Sequence, residues 1–289
     1  MRSKLFVPGS RPDLFGKALS SQADAISIDL EDAVVEHRKD EARAIVRDFL
    51  QSAEARATSK LIIVRVNAID TPHFEADIAA IMQPTLSMLN LPKPESAADI
   101  ELAVAMLTRA EASSRVSQPV KILANIETPK ALRNAAAIAS AHPRVIGLQL
   151  GLGDLFEPYG VDRADTRNLH AAMFAVRMAA GEADVFAYDG AFADVQNVEG
   201  YRAEAEMAQR LGYLGKTCIH PSQIAPANDV FRPSAEQIAH ARRVLAASRH
   251  ADADGMGAIM VDGKMIDAPF IRRAEAIIAT AERLQLDRQ

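Results

Sequence analysis

Eight short apolar runs recur along this chain, each followed by a polar turn and an amphipathic stretch, and this alternation limits the fold more than any other feature. The runs cover residues 4–8, 25–31, 61–67, 87–93, 121–127, 145–154, 185–190 and 215–221. They are almost continuously apolar rather than alternating, as parallel strands buried on both faces must be. Eight parallel strands with crossover helices are what closes a (β/α)8 TIM barrel, so an α/β barrel is the predicted fold class. An open doubly wound sheet is the rival, but no Gly-x-Gly-x-x-Gly follows the first strand.

The intervening stretches carry helix-start signals. Ser96 followed by Asp99 reads as a capping box, and Thr128 followed by Pro129 as an N-cap with proline in the first turn. Ile100, Ala103, Val104 and Leu107 then form one apolar stripe at helical spacing. Beyond the eighth strand the repeat stops. A capped helix over residues 234–248, a segment over 258–268 with a tight Asp262-Gly263 turn, and a last helix from Pro269 follow. The expected organisation is therefore a catalytic barrel over residues 1–232 and a C-terminal helical lid or docking arm over 233–289.

Composition narrows the function. With 289 residues, 49% of them hydrophobic, the chain can bury a large core, and its formal net charge of -5 argues against a nucleic-acid surface. A single cysteine, Cys218, excludes an intramolecular disulfide and a zinc cluster and reads as a small buried apolar residue. The longest apolar runs are too short to span a bilayer, and residues 1–7 enter a strand without a signal-peptide pattern, so no membrane association and a cytoplasmic location are expected.

Barrel enzymes build their active sites at the C-terminal ends of the strands. Here Asp29, Glu31 and Asp32 end the second run, Arg65 and Asn67 the third, Lys93 the fourth, Glu127 the fifth, Asp154 the sixth, Asp189 the seventh and His220 the eighth. Any one of these could merely cap a helix; the set, with so many acids beside an arginine and a lysine, points to a site. Carboxylates on adjacent strands repel unless a cation lies between them, so Glu127 and Asp154 invite a hard divalent metal. With only oxygen ligands on offer, Mg2+ is the expected ion. Glu31 and Asp32 then become candidates to hold metal-bound waters. Arg65 offers a planar fork for a substrate carboxylate, with an ion pair to one of the acids as the alternative. An α-keto or α-hydroxy acid chelating such a metal is set up for carbon–carbon chemistry. His220 reads either as a general base or as a structural hydrogen-bonding residue.

The strings RSKLFVPG from Arg2, DLEDAV from Asp29, VRVN from Val64, IET from Ile126, GLGD from Gly151, GKTCIHP from Gly215 and DGKMID from Asp262 together resemble the citrate lyase beta-subunit family. That family includes malyl-CoA and citramalyl-CoA lyases, and the likeness runs in order from Arg2 to Pro269. The resemblance implies a magnesium-dependent (β/α)8 barrel, usually a homotrimer. Such an enzyme cleaves or forms 3-hydroxyacyl thioesters of CoA, or of an acyl carrier protein, yielding an acyl thioester and a keto acid. It implies Glu127 and Asp154 as metal ligands and Arg65 as the grip on the keto-acid carboxylate. Glu31 and Asp32 would orient metal-bound water, with Gly153 beside Asp154 in the substrate site. Asp267 would be a lid aspartate that reaches a neighbouring subunit and handles the proton on the thioester α-carbon; capping the helix opening at Pro269 is its alternative. Lys17, Arg38, Lys39, His220 and Pro221 are the expected CoA contacts. Asn197 stands where the family pattern more often has an acid, and is expected to serve as a helix N-cap. The alternatives are a thioesterase on the same scaffold, a citryl-carrier lyase subunit that works only within a complex, and a metal-binding scaffold without catalysis.

Overall fold

The computed structural model describes residues 1–114, 116–253 and 258–286, and the chain divides into two compact units, Met1–Phe231 and Arg232–Gln289. In the first unit the strands are β1 (Ser3–Pro8), β2 (Ala25–Asp29), β3 (Leu61–Arg65), β4 (Met88–Leu91), β5 (Lys121–Ile126), β6 (Val145–Leu150), β7 (Phe186–Tyr188) and β8 (Lys216–Cys218). They pair in parallel in the order β7-β6-β5-β4-β3-β2-β1-β8. A parallel bridge between Asp189 and Lys216 joins the two ends, supported by Leu214 N–H on the Ala187 carbonyl at 2.9 Å. The sheet thus closes into the predicted (β/α)8 barrel.

The ladders stop sooner than the apolar runs. The paired part of β2 ends at Asp29, of β3 at Arg65, of β5 at Ile126 and of β6 at Leu150. Polar residues next in sequence leave the ladder to build the loops of the mouth. Asp154 is consequently not a strand terminus: it lies in the helix Leu152–Phe156, the turn of chain that follows β6.

Alternate residues of each strand face the barrel interior and its outer helices. Inside, Ala25, Ile63, Met88, Leu123 and Tyr188 form an apolar cluster, while Leu5, Ile26, Ile28, Ile62, Val64, Leu89 and Ile122 pack outward into the main core. Two residues further along the same strand faces come Ser27, Arg65, Asn90 and Asn125, then Asp29 and Glu127, so the interior turns polar toward the strands' C-terminal ends. Lys4 is fully buried on this inner face; its ammonium donates to Gln149 Oε1 and stands 4.6 Å from the Phe6 ring centre and 5.5 Å from that of Tyr188.

The helix signals hold. Ser96 Oγ accepts from the Asp99 N–H at 3.3 Å while Asp99 Oδ2 accepts from the Ser96 N–H at 2.9 Å, closing the capping box of Ala97–Ala112. Thr128 Oγ1 accepts from the Ala131 N–H at 3.1 Å, and Asn197 Oδ1 from the Gly200 N–H at 2.8 Å. Asparagine therefore caps the helix Val198–Arg210 as expected.

The second unit comprises the helix Ala235–Ala253, an antiparallel hairpin of β9 (Ile259–Val261) and β10 (Lys264–Ile266), and the helix Ala268–Arg283. Its first helix runs past residue 248, where the sequence reading ended it. Asp262 and Gly263 turn the hairpin with φ of 50° and 76°, the left-handed pair that a two-residue turn requires. Ala241, Val244, Val261, Ile266 and Ala274 form its own small core. Among the described residues no helix is long and apolar enough to cross a membrane.

Candidate active site

The loop after β2 is shaped by its first acid. Asp29 accepts the N–H of Glu31 and of Ala33, each at 3.0 Å, which folds Leu30-Glu31-Asp32 into a tight turn over the barrel mouth. The same carboxylate receives a fork from Arg65 on the neighbouring strand, Nε to Oδ1 and Nη2 to Oδ2, both at 2.7 Å. Burial alone would raise the Asp29 carboxyl, but the Arg65 charge and its two bonds hold it below the usual carboxylate range.

Arg65 collects two further acids. Its Nη1 lies 2.8 Å from Glu31 Oε2 and 3.3 Å from Asp32 Oδ2, and its guanidinium stands 5.1 Å from the centre of the Phe6 ring. The alternative raised for Arg65, an ion pair, is thus present in the site. Burial works against the guanidinium, but Asp29, Glu31 and Asp32 outweigh it and keep Arg65 charged.

Lys93 links this group to β5 and β6. Its ammonium donates to Glu31 Oε1 at 2.7 Å and lies 3.5 Å from Asp154 Oδ2, while its backbone N–H donates to Glu127 Oε1 at 3.0 Å. Its φ of 51° places a residue with a Cβ in the left-handed region, at a cost of about 1–3 kcal/mol that surrounding contacts must sustain. The sequence reading noted Lys93 at a strand end but assigned it no role. A lysine between two prolines immediately after a buried strand was the available signal.

Glu127 is only 2% exposed. Burial, and after it the charges of Glu31 and Asp154, push its carboxyl up to about 8 despite the opposing pull of Arg65 and Lys93. Gly151 makes room for it: a Cβ there would stand 2.5 Å from both Glu127 Cβ and Oε2. Glu31 is raised as well, burial outweighing Arg65 and Lys93. Among the described residues, Asp29, Glu31, Asp32 and Asp154 share two ion-pairing cations, Arg65 and Lys93, while Glu127 makes no ion pair and Lys4 lies within Coulombic reach of Asp29 and Glu127.

This arrangement fits a hard dication. The donors are all oxygen, their charge is in excess, and Glu31 Oε2 is buried without a hydrogen bond, its contact with Arg65 being an ion pair at poor angle. Among the described residues no ready-made cage of three or more acids, histidines or cysteines exists. A dication held by two of these carboxylates would keep its remaining positions for water and substrate. Gly153, beside Asp154, has open space where a side chain would stand.

The expected CoA contacts separate. Lys17 is exposed, and Arg38 forks onto Glu41 at 2.8 and 2.9 Å on the surface. Lys39 is a correction. It is buried, and its ammonium donates to the carbonyls of Leu30 at 2.8 Å and Glu31 at 2.7 Å and to Asn67 Oδ1 at 2.5 Å. With all three protons used, it ties down the β2 loop rather than meeting a phosphate. His220 and Pro221 are exposed, and His220 Nδ1 accepts from the Ser222 N–H at 3.3 Å as an N-cap, its structural alternative. Cys218 is buried as expected. In the second unit Asp267 opens the helix Ala268–Arg283, yet its side chain makes no cap bond and its Oδ1 is buried without a partner. Side-chain capping therefore does not account for it.

A second charged group went unread. Lys216 donates to Asp189 Oδ2 and Glu204 Oε1, both at 2.6 Å, and Arg163 forks onto Glu204 at 3.1 and 2.6 Å. Asp189 was read as a mouth residue; instead Lys216 and its own Gly190 N–H occupy it in full burial.

Comparison with known proteins gives the family. The family model described as HpcH/HpaI aldolase/citrate lyase matches residues 2–221. L-malyl-CoA/beta-methylmalyl-CoA lyase of Cereibacter sphaeroides is 33% identical, covering 98% of this chain and 95% of that protein. Citrate lyase subunit beta of Escherichia coli is 34% identical, covering 97% and 93%. A crystal structure of CitE from Mycobacterium tuberculosis, in complex with magnesium, acetoacetate and coenzyme A, superposes with a TM-score of 0.75 at 33% identity, covering 98% of this chain and all 100% of that one. Family model and relatives agree, and the chain belongs to the HpcH/HpaI aldolase/citrate lyase family.

Proposed function

We propose that this chain is a magnesium-dependent carbon–carbon lyase acting on a 3-hydroxyacyl-CoA thioester such as malyl-, citramalyl- or citryl-CoA. It would split that ester into an acyl-CoA and a keto acid, or join the two. The observation that carries the reading is the surplus of buried and half-buried carboxylates at the barrel mouth, with Glu127 held protonation-prone by burial. The magnesium, acetoacetate and coenzyme A bound by the Mycobacterium tuberculosis relative support it.

Glu127 and Asp154 are proposed to hold the Mg2+, with Glu31 and Asp32 orienting its waters. When bound, the ion polarises the oxygen next to the acid's carboxylate. Arg65 keeps three N–H donors beyond the Asp29 fork, two of them on Nη1, and takes the keto-acid carboxylate, which replaces Glu31 and Asp32 on Nη1. Asp29 keeps the guanidinium plane fixed meanwhile. In cleavage the hydroxyl gives up its proton to a carboxylate of the mouth as its oxygen becomes the keto carbonyl, the bond from that carbon to the thioester α-carbon breaks, its electron pair passes into the thioester as an enolate, and a proton is delivered to the α-carbon, so the step is proton-neutral. Asp267 is proposed to move that proton, acting on a neighbouring subunit's site in a homotrimer or larger oligomer. Lys17, Arg38, His220 and Pro221 remain the proposed CoA contacts, and we place the enzyme in the cytoplasm.

Mass spectrometry of the purified chain with Mg2+ and malyl-, citramalyl- or citryl-CoA tests the reading. A lyase yields acyl-CoA plus a keto acid. Free CoA with an intact hydroxy acid would make it a thioesterase. Turnover only with an acyl-carrier thioester would make it a subunit of a larger lyase. For Asp267, mixing inactive Asp267→Ala with inactive Asp154→Ala under subunit exchange should restore part of the activity. No recovery despite demonstrated exchange refutes action in trans.

A further inference from the structure

Lys93 connects to the site's acids in two ways that depend on one backbone conformation. With φ at 51° its N–H meets Glu127 Oε1 at 3.0 Å, while its side chain carries an ammonium to Glu31 Oε1 at 2.7 Å, Asp154 Oδ2 at 3.5 Å and Asp32 Oδ1 at 3.9 Å. Three carboxylates converge on that one nitrogen. Like charges this close cannot all stay ionised without a cation among them, and Arg65, forked onto Asp29 and paired with Glu31 and Asp32, makes no ion pair with Asp154 among the described residues. The contact to Asp154 is the longer and more exposed of the two strong ones, Asp154 being 44% accessible and Glu31 8%.

We propose that Lys93 is an internal counter-cation that competes with the divalent metal for Asp154. Its ammonium neutralises the acids of the metal-free chain, and it gives up Asp154, keeping Glu31, when the dication binds. The proposal rests on the reading that Glu127 and Asp154 hold the metal. A lysine in this place lowers metal affinity, because each binding event must undo an existing ion pair. In return the acids do not repel one another apart when the metal leaves, and the backbone N–H keeps Glu127 aimed throughout.

The test is calorimetric titration of the metal-stripped, substrate-free chain with Mg2+ and with Mn2+. Lys93→Met keeps the aliphatic stem and removes the charge. Lys93→Gly also removes it, relieves the left-handed backbone and retains the N–H on Glu127, so it serves if the methionine variant does not fold. A folded variant is expected to bind the dication on the order of tenfold more tightly than the wild type, the scale of a coupling between neighbouring sites. Its melting temperature should be lower than wild type without metal and rise more when metal is added. A residue that merely positions the acids would give the opposite, weaker binding. Equal or weaker binding by a folded variant overturns the proposal while leaving the metal assignment intact. Absence of binding by all three proteins overturns the metal assignment and this proposal together.

Discussion

Two clusters of buried charge lie in one barrel and are put together differently. Across β7, β8 and the helix Val198–Arg210, two acids, Asp189 and Glu204, meet two cations, Lys216 and Arg163, and each charge is hydrogen-bonded to an opposite one. Across β2 to β6, among the described residues, four acids share two ion-pairing cations, Glu127 makes no ion pair, and Asp154 stays partly open to solvent. The first is closed to anything from outside and acts as a staple across the seam where the barrel closes. The second has charge left over. Two groups built from the same residue types thus differ in charge balance, and that imbalance is what supports the chemistry proposed at the mouth.

The largest expected effect removes the imbalance. Glu127→Gln should cost at least about 10³-fold in kcat/KM, because a neutral amide neither binds a hard dication well nor repels its neighbours. Calorimetry on the same variant should show metal affinity lost, and an active enzyme would place the chemistry elsewhere. Lys216→Met attacks the balanced cluster instead. Stranding Asp189 and Glu204 without their shared cation should cost about 3–5 kcal/mol in urea unfolding. The folded fraction should keep its kcat/KM; a selective loss of activity would erase the distinction between the two clusters.

Arg65→Lys probes the border between structure and chemistry. A lysine cannot reproduce the fork onto Asp29 while still offering donors to a substrate carboxylate, so kcat/KM should fall by the equivalent of about 2–4 kcal/mol. Steady-state kinetics checks this, and unchanged efficiency removes Arg65 from the site.

The smallest effect concerns Lys4, as deeply buried as Lys216 but without a carboxylate at hydrogen-bond distance. Burial, with Arg65 adding to it, holds its pKa well below 10.5, whereas Asp189 and Glu204 overcome burial and raise that of Lys216. Between the lowered folded-state pKa of Lys4 and the ordinary 10.5, the unfolded chain binds the extra proton, so stability climbs as pH rises through that window. Lys4→Met should stabilise the chain at neutral pH, with the gain shrinking as pH approaches 10.5. Thermal melts across pH measure the difference; an equal gain at every pH would mean that Lys4 is charged when folded.

Strand number and placement were legible because burial on both faces leaves an unbroken apolar run, which few other structures demand. Strand ends were not, since a ladder stops where its partner turns away, and no property of residue 154 itself announces a helix. The acids and Arg65 could be read from their positions after apolar runs. Their partners could not. Lys39 looks like any solvated lysine until Asn67 and two carbonyls from the β2 loop surround its ammonium. Glu204, in mid-helix, becomes a buried counterion only because β8 brings Lys216 beneath it. Sequence shows which residues can carry charge; only the fold shows which charges cancel.

The glycine at position 151 has a consequence for descent. A single added carbon would come within 2.5 Å of the Glu127 side chain, just past the end of the β5–β6 ladder. One codon change could therefore displace the carboxylate proposed to hold the metal. Position 151 becomes a one-letter marker for sorting sequences that share this barrel into those that preserved the carboxylate's berth and those that filled it.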